Sequence, residues 1–509
     1  MVDELRKSYQ RKIINIDDLV QEVGPFGREK TVIMCHGVFD VVHPGHIRHL
    51  AYAKSKADIL VVSITCDRWI KKGPYRPHVP ENLRALSLAA FDMVDFVLID
   101  HNDKPLQNIE IIQPNLFAKG FEYSDNLPKA TLEEIEVVKA YGGKTIFTPG
   151  DIVYSSTNLI NASMPDLRVD KFQTMMDQMG LDFDIIAKTV DQLNGVKVHV
   201  VGDTIVDSYT RTSLIGGNTK TPTFSVLFNS KEDYVGGAGI VSLHLKAAGA
   251  DVTFTTMLGD DELGRFAENH LRENGIKLNV VTDSKRPTTN KNAIICGNHR
   301  LLKLDTLDNA TITPEIVECF KENIAAENVD CLIFSDFRHG IFNKGTISNL
   351  VDAAPKGVMK IGDSQLASRW GNITEFKNFD LVTPNEREAR FAVADQDCNI
   401  VHLTHQIRDV SGSKNVILKL GPKGLFFLGE DVYHSIDSFT NNVKDAVGSG
   451  DALLAYATLT MKVTGSLPLA CVIGSLAAAC ECEIDGNEPI TPDLILKKLD
   501  DVKLEMQYG

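Results

Sequence analysis

Residues 31–46 read TVIMCHGVFDVVHPGH: an apolar run, a glycine turn, then a Pro-Gly pair where a helix can open. The run is too short for a helix and apolar throughout, which predicts a strand buried on both faces of a parallel sheet. The same rhythm continues outward. ILVVSIT (59–65), DFVLI (95–99), LFA (116–118) and TIF (145–147) repeat its character, with stretches of helical spacing near 44–57, 81–92 and 131–141 between them. Strands alternating with helices predict a doubly wound α/β module, here over 30–161. A charged, weakly patterned stretch (1–29), a short helix or an arm, precedes it. Beyond Asn161, residues 162–194 carry Met, Asp and Leu at helical spacing and read as a helical connector.

A second α/β rhythm starts at KVHVVGD (197–203) and defines a second module over 195–509. Within it, 209–234 is rich in Thr, Ser and Gly with short β-branched runs. This predicts a small antiparallel lid on a larger sheet, with a partner strand region near 290–304. The two halves do not repeat each other, so the chain reads as a fusion. The fold class is α/β: a Rossmann-like N-terminal module and a second doubly wound module with a small β lid.

Composition narrows the function. A chain of 509 residues exceeds one hydrophobic core. No apolar run reaches the ~18 residues of a membrane span, and MVDELRKSYQRK lacks the apolar core of a secretion signal. Nine cysteines lie scattered, and Cys480 with Cys482 alone is not a metal pattern, so a reducing, cytoplasmic setting is expected. A net charge of −15 argues against a nucleic-acid surface. It does not exclude anionic substrates, which local amide nests and a few cationic side chains can hold.

The turn that ends the first strand has the makings of a phosphate site. Gly37, Phe39 and Asp40 form a Gly-x-Phe-Asp turn, and His43-Pro44-Gly45-His46 opens the helix. Helix N-terminal amides favour an anion, Gly45 admits a polyphosphate close to the backbone, and two imidazole N–H groups can donate to it. Donors fixed where pyrophosphate charge develops would stabilise nucleotidyl transfer. DRWIKKGPYRP (67–77) then supplies Lys71, Lys72 and Arg76, followed by Glu81 and Arg84 on a helix. Lys119-Gly120 follows a strand. Ser155, Ser156 and Thr157 precede a predicted helix, where hydroxyls suit a phosphate or a helix cap equally.

GVFD, HPGH, KKGPYRP, the later E-x-x-R, AKGFEY and SSTNLI together resemble the cytidylyltransferase superfamily over 30–161. Within it, the nearest likeness is to the nucleotidylyltransferase module of the bifunctional ADP-heptose synthases. The resemblance implies that a sugar 1-phosphate attacks the α-phosphate of ATP or CTP with release of pyrophosphate. It gives His43 and His46 contact with the triphosphate and Lys72 an assisting role. Gly37, Phe39, Asp40, Gly45, Arg76, Lys119, Ser155, Ser156 and Thr157 would line the nucleotide, and Mg²⁺ is expected as its charge partner.

The second module carries NNVKDAVGSGDALLAY over 441–456. Gly448-Ser449-Gly450 can turn several amides toward one point at a helix start, an anion hole. Asp451 beside it is placed to take a proton from a hydroxyl while the amides hold a transferring phosphoryl group. Asp203 ends the first strand and Asp207 follows. Gly236 and Gly237 open a helix where a ligand can approach the backbone. Asn385 and Glu388 in TPNERE face one side of a helix start and are candidates to orient Mg²⁺ through water.

GDTIVDSY, GGAG, GDDELG, LKLD, SDFRHG, TPNEREA and DAVGSGD resemble the ribokinase-like (PfkB) carbohydrate kinases over roughly 196–500. The resemblance implies Asp451 as catalytic base, Gly448 to Gly450 as anion hole, and Asp203 and Asp207 as sugar-side acceptors. It also implies ATP as phosphoryl donor and LKLGPKG (Lys419, Gly421, Gly424) as a nucleotide-side loop. The chain departs from that pattern in three places. The ADP-heptose synthases carry the kinase first; Ile240 replaces a usual Asn; His339 and Gln365 replace usual lysines.

The combined expectation is a sugar-phosphate kinase and sugar 1-phosphate nucleotidylyltransferase serving a nucleotide-activated heptose. Its partners would be sugar phosphates and nucleotides, with no nucleic acid and no membrane. Two alternatives stay open: a CTP-dependent enzyme for another sugar or polyol phosphate, and a transferase whose kinase half only scaffolds. A small lid with unpaired edges predicts a homodimer.

Overall fold

The computed structural model describes residues 8–71, 73–120, 129–148, 168–217, 224–365, 372–440, 442–484 and 486–508. Lys72, Ser155, Ser156 and Thr157 lie outside the described residues. The chain divides into two units: Met1–Leu167 with Asp397–His402, and Arg168–Gln396 with Leu403–Gly509.

The first unit holds β1 (Val32–Gly37), β2 (Ile59–Thr65), β3 (Phe96–Asp100), β4 (Leu116–Lys119) and β5 (Lys144–Phe147). They form one parallel sheet in the order β3-β2-β1-β4-β5. Successive strand side chains point to opposite faces, so a central strand needs apolar residues at every position. β1 meets this: Ile33 and Cys35 join Leu50, Leu60 and Val97 on one face, Val32 and Met34 join Leu19, Phe117 and Val138 on the other. The segment read as an arm covers this second face. Its helix Ile16–Val23, capped by Asn15, buries Leu19 and Val23, and Ile13 bridges Val97. Strand order reverses between β1 and β4, which opens a crevice beyond their carboxyl ends.

The second unit contains β6 (Lys197–Gly202), β7 (Thr204–Gly217), β8 (Phe224–Gly237), β9 (Asp251–Leu258) and β10 (Lys277–Thr282). They are followed by β11 (Asn290–Cys296), β12 (His299–Thr306), β13 (Cys331–Asp336), β14 (Met359–Ser364) and β15 (Leu381–Val382). Last come β16 (Asn415–Lys419), β17 (Leu425–Leu428) and β18 (Tyr433–Ile436). The large sheet runs β10-β9-β6-β13-β14-β15-β16-β17-β18, parallel as far as β16 and antiparallel from there to β18. Helices Ser449–Thr464 and Leu467–Cys482 pack on each other and are buried almost all round, as core helices must be.

Two expectations are corrected. The lid, in the order β12-β11-β7-β8, is mixed, because β11 runs parallel to β7. The chain leaves the lid after β8, passes through β9 and β10, and re-enters β11 in the original direction; only the hairpins β7–β8 and β11–β12 are antiparallel. The expected connector is also part of the second unit. Helices Arg168–Met179 and Phe183–Asp191 bury Phe172, Met175, Met176, Ile186 and Val190 in the same core as β6.

Candidate active sites

In the first unit the site forms where β1 ends. Phe39 takes a left-handed backbone (φ 48°), uncommon for an aromatic residue, and its buried ring lies 5.0 Å from the His46 ring. Helix Pro44–Lys54 follows, with His43 as N-cap and Pro44 at the first helical position, where proline's missing N–H costs nothing. His43 Nδ1 accepts from the Gly45 amide at 3.1 Å. That bond fixes the tautomer and leaves the ring proton on Nε2 as a donor. The His43 and His46 rings stack at 3.8 Å, so the two motif histidines form one block over the helix start.

Asp40 and Arg76, read as nucleotide contacts, are bonded to each other. Arg76 Nη1 reaches Asp40 Oδ2 at 2.7 Å, and Asp40 Oδ1 accepts from the His78 and Val79 amides at 2.8 and 3.0 Å. Asp40 therefore anchors the basic loop to the turn. Arg84 supports the loop from beneath. It is fully buried, donates to the Val79 and Thr65 carbonyls at 3.0 and 2.8 Å, and pairs with Asp67 at 2.6 Å. Glu81 in turn accepts from the Asp67 amide at 2.6 Å. Burial and the adjacent Glu81 push the Asp67 carboxyl up to about 7, against the pull of Arg84.

Lys119, at the end of β4, is nearly buried and pairs with Glu134 at 2.5 Å. His36 on β1 was not singled out from sequence. Its ring bridges Ser63 Oγ (2.9 Å) and Thr65 Oγ1 (3.2 Å), and burial together with the Lys119 charge lowers it to about 3, so it is a neutral imidazole.

The second site lies at the carboxyl ends of the parallel strands. Gly448 is the N-cap of helix Ser449–Thr464, Ser449 Oγ donates to the Ala446 carbonyl at 2.9 Å, and the Asp451 amide turns back to the Gly448 carbonyl at 2.9 Å. First-turn helix amides have no intrahelical acceptor and are open to an anion. Asp451 is buried, and its Oδ1 has no hydrogen-bond partner among the described residues. Burial, then Asp363 and Asp207, raise its carboxyl to about 8, while Lys419 and Lys291 oppose the rise.

Those neighbours come from four elements. Lys419, at the end of β16, pairs with Asp363 at 2.8 Å, and Thr383 Oγ1 donates to the same carboxylate at 2.7 Å. Burial pulls the Lys419 ammonium down, but Asp363, Glu388 and Asp451 outweigh it and hold it above its ordinary value. Gly421 and Gly424 bracket the tight turn that follows. Asp207 lies against Gly236, where any side chain would strike its Oδ2 at 2.1 Å; Gly237 caps the next helix. Lys291, which no local motif marks, pairs in register with Asp207 on one side and Asp305 on the other, and its ammonium stands 5.6 Å from the Phe337 ring centre.

Other predicted residues have structural work. Asp203 Oδ2 accepts from the Phe337 and His339 amides at 3.0 and 3.3 Å, holding that turn. Asn385 and Glu388 form a reciprocal capping box on helix Glu386–Val393, with Glu388 Oε2 accepting from the Asn385 amide at 2.7 Å. Among the described residues no trio of His, Cys, Asp or Glu is gathered for direct metal ligation. Ile240 is wholly buried in the core, and His339 Nδ1 lies 3.0 Å from Asn309 Oδ1.

Comparison with known proteins agrees with this division. Residues 196–492 match the family model described as pfkB family carbohydrate kinase, and residues 34–162 match the one described as Cytidylyltransferase-like. The chain is 25% identical over 309 residues to the Bifunctional protein HldE of Helicobacter hepaticus, covering 59% of this chain and 63% of that one. It is 36% identical over 160 residues to the Bifunctional protein HldE of Campylobacter fetus, 31% of this chain and 32% of that one. It thus spans less than two thirds of these relatives. Phosphofructokinase-2 from Escherichia coli, solved with substrates and products, superposes with a TM-score of 0.53 at 17% identity, over 60% of this chain and all of that one, a likeness of fold.

Proposed function

The chain belongs to the pfkB family of carbohydrate kinases, and from that premise we propose that it is a two-site enzyme that builds a nucleotide-activated sugar. The second unit transfers the γ-phosphoryl group of ATP to a sugar phosphate. The first joins a nucleotidyl group to a sugar 1-phosphate. The likeness to the HldE proteins supports a heptose phosphate as the sugar. The observation that carries the kinase reading is Asp451, a buried carboxyl with a partnerless oxygen at a glycine-rich helix start. Asp451 takes the proton of the sugar hydroxyl, the freed oxygen attacks the γ-phosphorus, and the bond to ADP breaks. Helix amides beside Gly448–Gly450 hold the transferring group, and Asp207 and Lys291 line the acceptor side. Mg²⁺, when bound, neutralises phosphate charge; Asn385 and Glu388 would hold it through water.

In the first unit an oxygen of the sugar 1-phosphate attacks the α-phosphorus and pyrophosphate departs. His43 Nε2–H and the amides of its helix donate to the charge that develops there. Lys72, Ser155, Ser156 and Thr157 are assigned to the same site by family likeness.

The lid supports a homodimer. Leu214, Phe224, Phe228, Leu302 and Leu304 are each more than half exposed, and strand register puts them on one face of the lid. Exposed apolar side chains gathered on one sheet face favour an interface, and a second lid is the cover proposed for it.

The test is ADP release from ATP with heptose 7-phosphate and a panel of other sugar phosphates. Pyrophosphate release from ATP and CTP with the matching 1-phosphates is measured in parallel. ADP formation with heptose 7-phosphate is expected. Binding of ATP and sugar without turnover would instead favour a scaffold role for the second unit.

A further inference from the structure

Behind the anion hole sits a carboxyl that the reaction scheme does not use. Glu481, on helix Leu467–Cys482, is completely buried, and neither of its oxygens has a hydrogen-bond partner among the described residues. On the same glycine lies Asn487, whose Oδ1 is also buried and without a partner among the described residues, while its Nδ2 donates to the Val235 carbonyl at 3.4 Å. That bond fixes the amide: the N–H side points to the glycine pair of the sugar site, and the oxygen points away from it. Both acceptors converge on Gly448. A Cβ there would lie 2.3 Å from Asn487 Oδ1 and 2.9 Å from Glu481 Oε1, and the residue has a left-handed φ of 84°.

Two buried acceptors that converge on one glycine, with no donor to either among the described residues, are costly. A proton on the carboxyl removes the cost, since a carboxylic acid donates one O–H bond and an amide oxygen accepts it. We propose that Glu481 is held as a neutral carboxylic acid whose O–H donates to Asn487 Oδ1. This pair braces Gly448 and keeps a negative charge away from the amides that must hold phosphate. The inference rests on the kinase reading of the second unit and assigns Glu481 as a positioning residue.

The charged groups around Glu481 agree. Burial, followed by Asp451, Glu488 and Asp445, raises the carboxyl to about 8, and no cation enters the balance. Asp451 comes from helix Ser449–Thr464, Asp445 from the loop before it, and Glu488 from the loop after Glu481's own helix. The charge of Asp451, ionised as base, is the largest of these neighbouring charges, so the pair favours one negative charge where two would repel. Above about pH 8 Glu481 begins to ionise, and its charge then opposes the phosphates of ATP.

The experiment uses the full chain and the variants Glu481→Gln and Glu481→Ala. Infrared difference spectra at pH 7 should show a protonated carboxylic-acid carbonyl band in wild type that Glu481→Gln lacks. Calorimetric ATP affinity should weaken ~10-fold more from pH 7.5 to 9.5 in wild type than in Glu481→Gln, whose amide N–H replaces the acid donor without titrating and leaves only Asp451 to ionise. Glu481→Ala should weaken ATP binding at every pH, with Glu481→Gln restoring most of the loss. An acid band identical in wild type and Glu481→Gln, or an unchanged pH dependence of ATP affinity, overturns the proposal; so does a band that appears only after alkali cations are removed. An acid band that depends on Glu481 in a protein that binds ATP but phosphorylates no sugar would reject the kinase reading and leave the proton in place.

Discussion

Asp451→Asn is the most informative single change, because it predicts kinetics and stability in opposite directions. The Asp451 carboxyl is raised to about 8 by burial and by Asp363 and Asp207. A base works only when ionised, and with that midpoint about one-tenth of the free enzyme is ionised at pH 7. kcat/KM for the sugar phosphate should therefore climb close to tenfold per pH unit from 6 to 7 and level off above 8. Asparagine keeps the shape but cannot accept the proton, so kcat should fall ~10²–10⁴-fold with little change in KM, and the acid limb should vanish. Stability moves the other way. A carboxyl whose folded pKa lies above its unfolded value binds more protons when folded. Its contribution is intact below about pH 4 and is lost as pH rises toward about 8. The neutral amide escapes that loss, so above pH 8 the variant should be more stable than wild type by ~1–3 kcal/mol. A coupled ADP assay from pH 6 to 9 and thermal melts on the same preparations measure both. Were Asp451 only a structural residue of the first helical turn, the variant would turn over normally; that outcome, or a flat wild-type profile below pH 8, refutes the base assignment.

The remaining predictions address the first unit and the lid. His43→Ala and His46→Ala should each lower pyrophosphate release by at least ~10²-fold while ADP formation is unchanged; near-normal release by both would remove the histidine block from the site. Arg84→Met leaves buried Asp67 without its cation and should destabilise the first unit by ~3–5 kcal/mol, read as an early separate melting step with kinase turnover preserved. Phe224→Glu combined with Leu302→Glu places charge on the exposed lid face and should convert a dimer to a monomer by light scattering; a wild-type monomer at micromolar concentration would defeat the interface.

What the sequence disclosed follows from where the physics is local. β1 and β2 were legible because strands buried on both faces must be apolar at nearly every position, and Val32 to Cys35 and Leu60 to Val62 are. The HPGH turn was legible because a cap, a proline and a glycine each leave a mark within four residues. The role of 8–29 was not, because its one helix is a two-turn element that buries Leu19 and Val23 against a sheet made from later residues. Pairing across the chain left no trace either. Lys291 is a lone lysine in an alternating strand until β11 aligns it with Asp207, more than eighty residues earlier in the chain. Asn385 and Glu388 show why spacing alone leaves a role open. The i, i+3 step that would present two oxygens to a metal is also the step of a capping box, and the structure realises the box. The two roles are compatible. A carboxylate fixed by the Asn385 amide cannot swing, and Glu388 thus contributes a stationary charge to the field of Lys419, which pairs with Asp363 beside the base. A helix cap can therefore reach the electrostatics of the proposed base, Asp451, on another element, and only the folded chain shows that the two are joined.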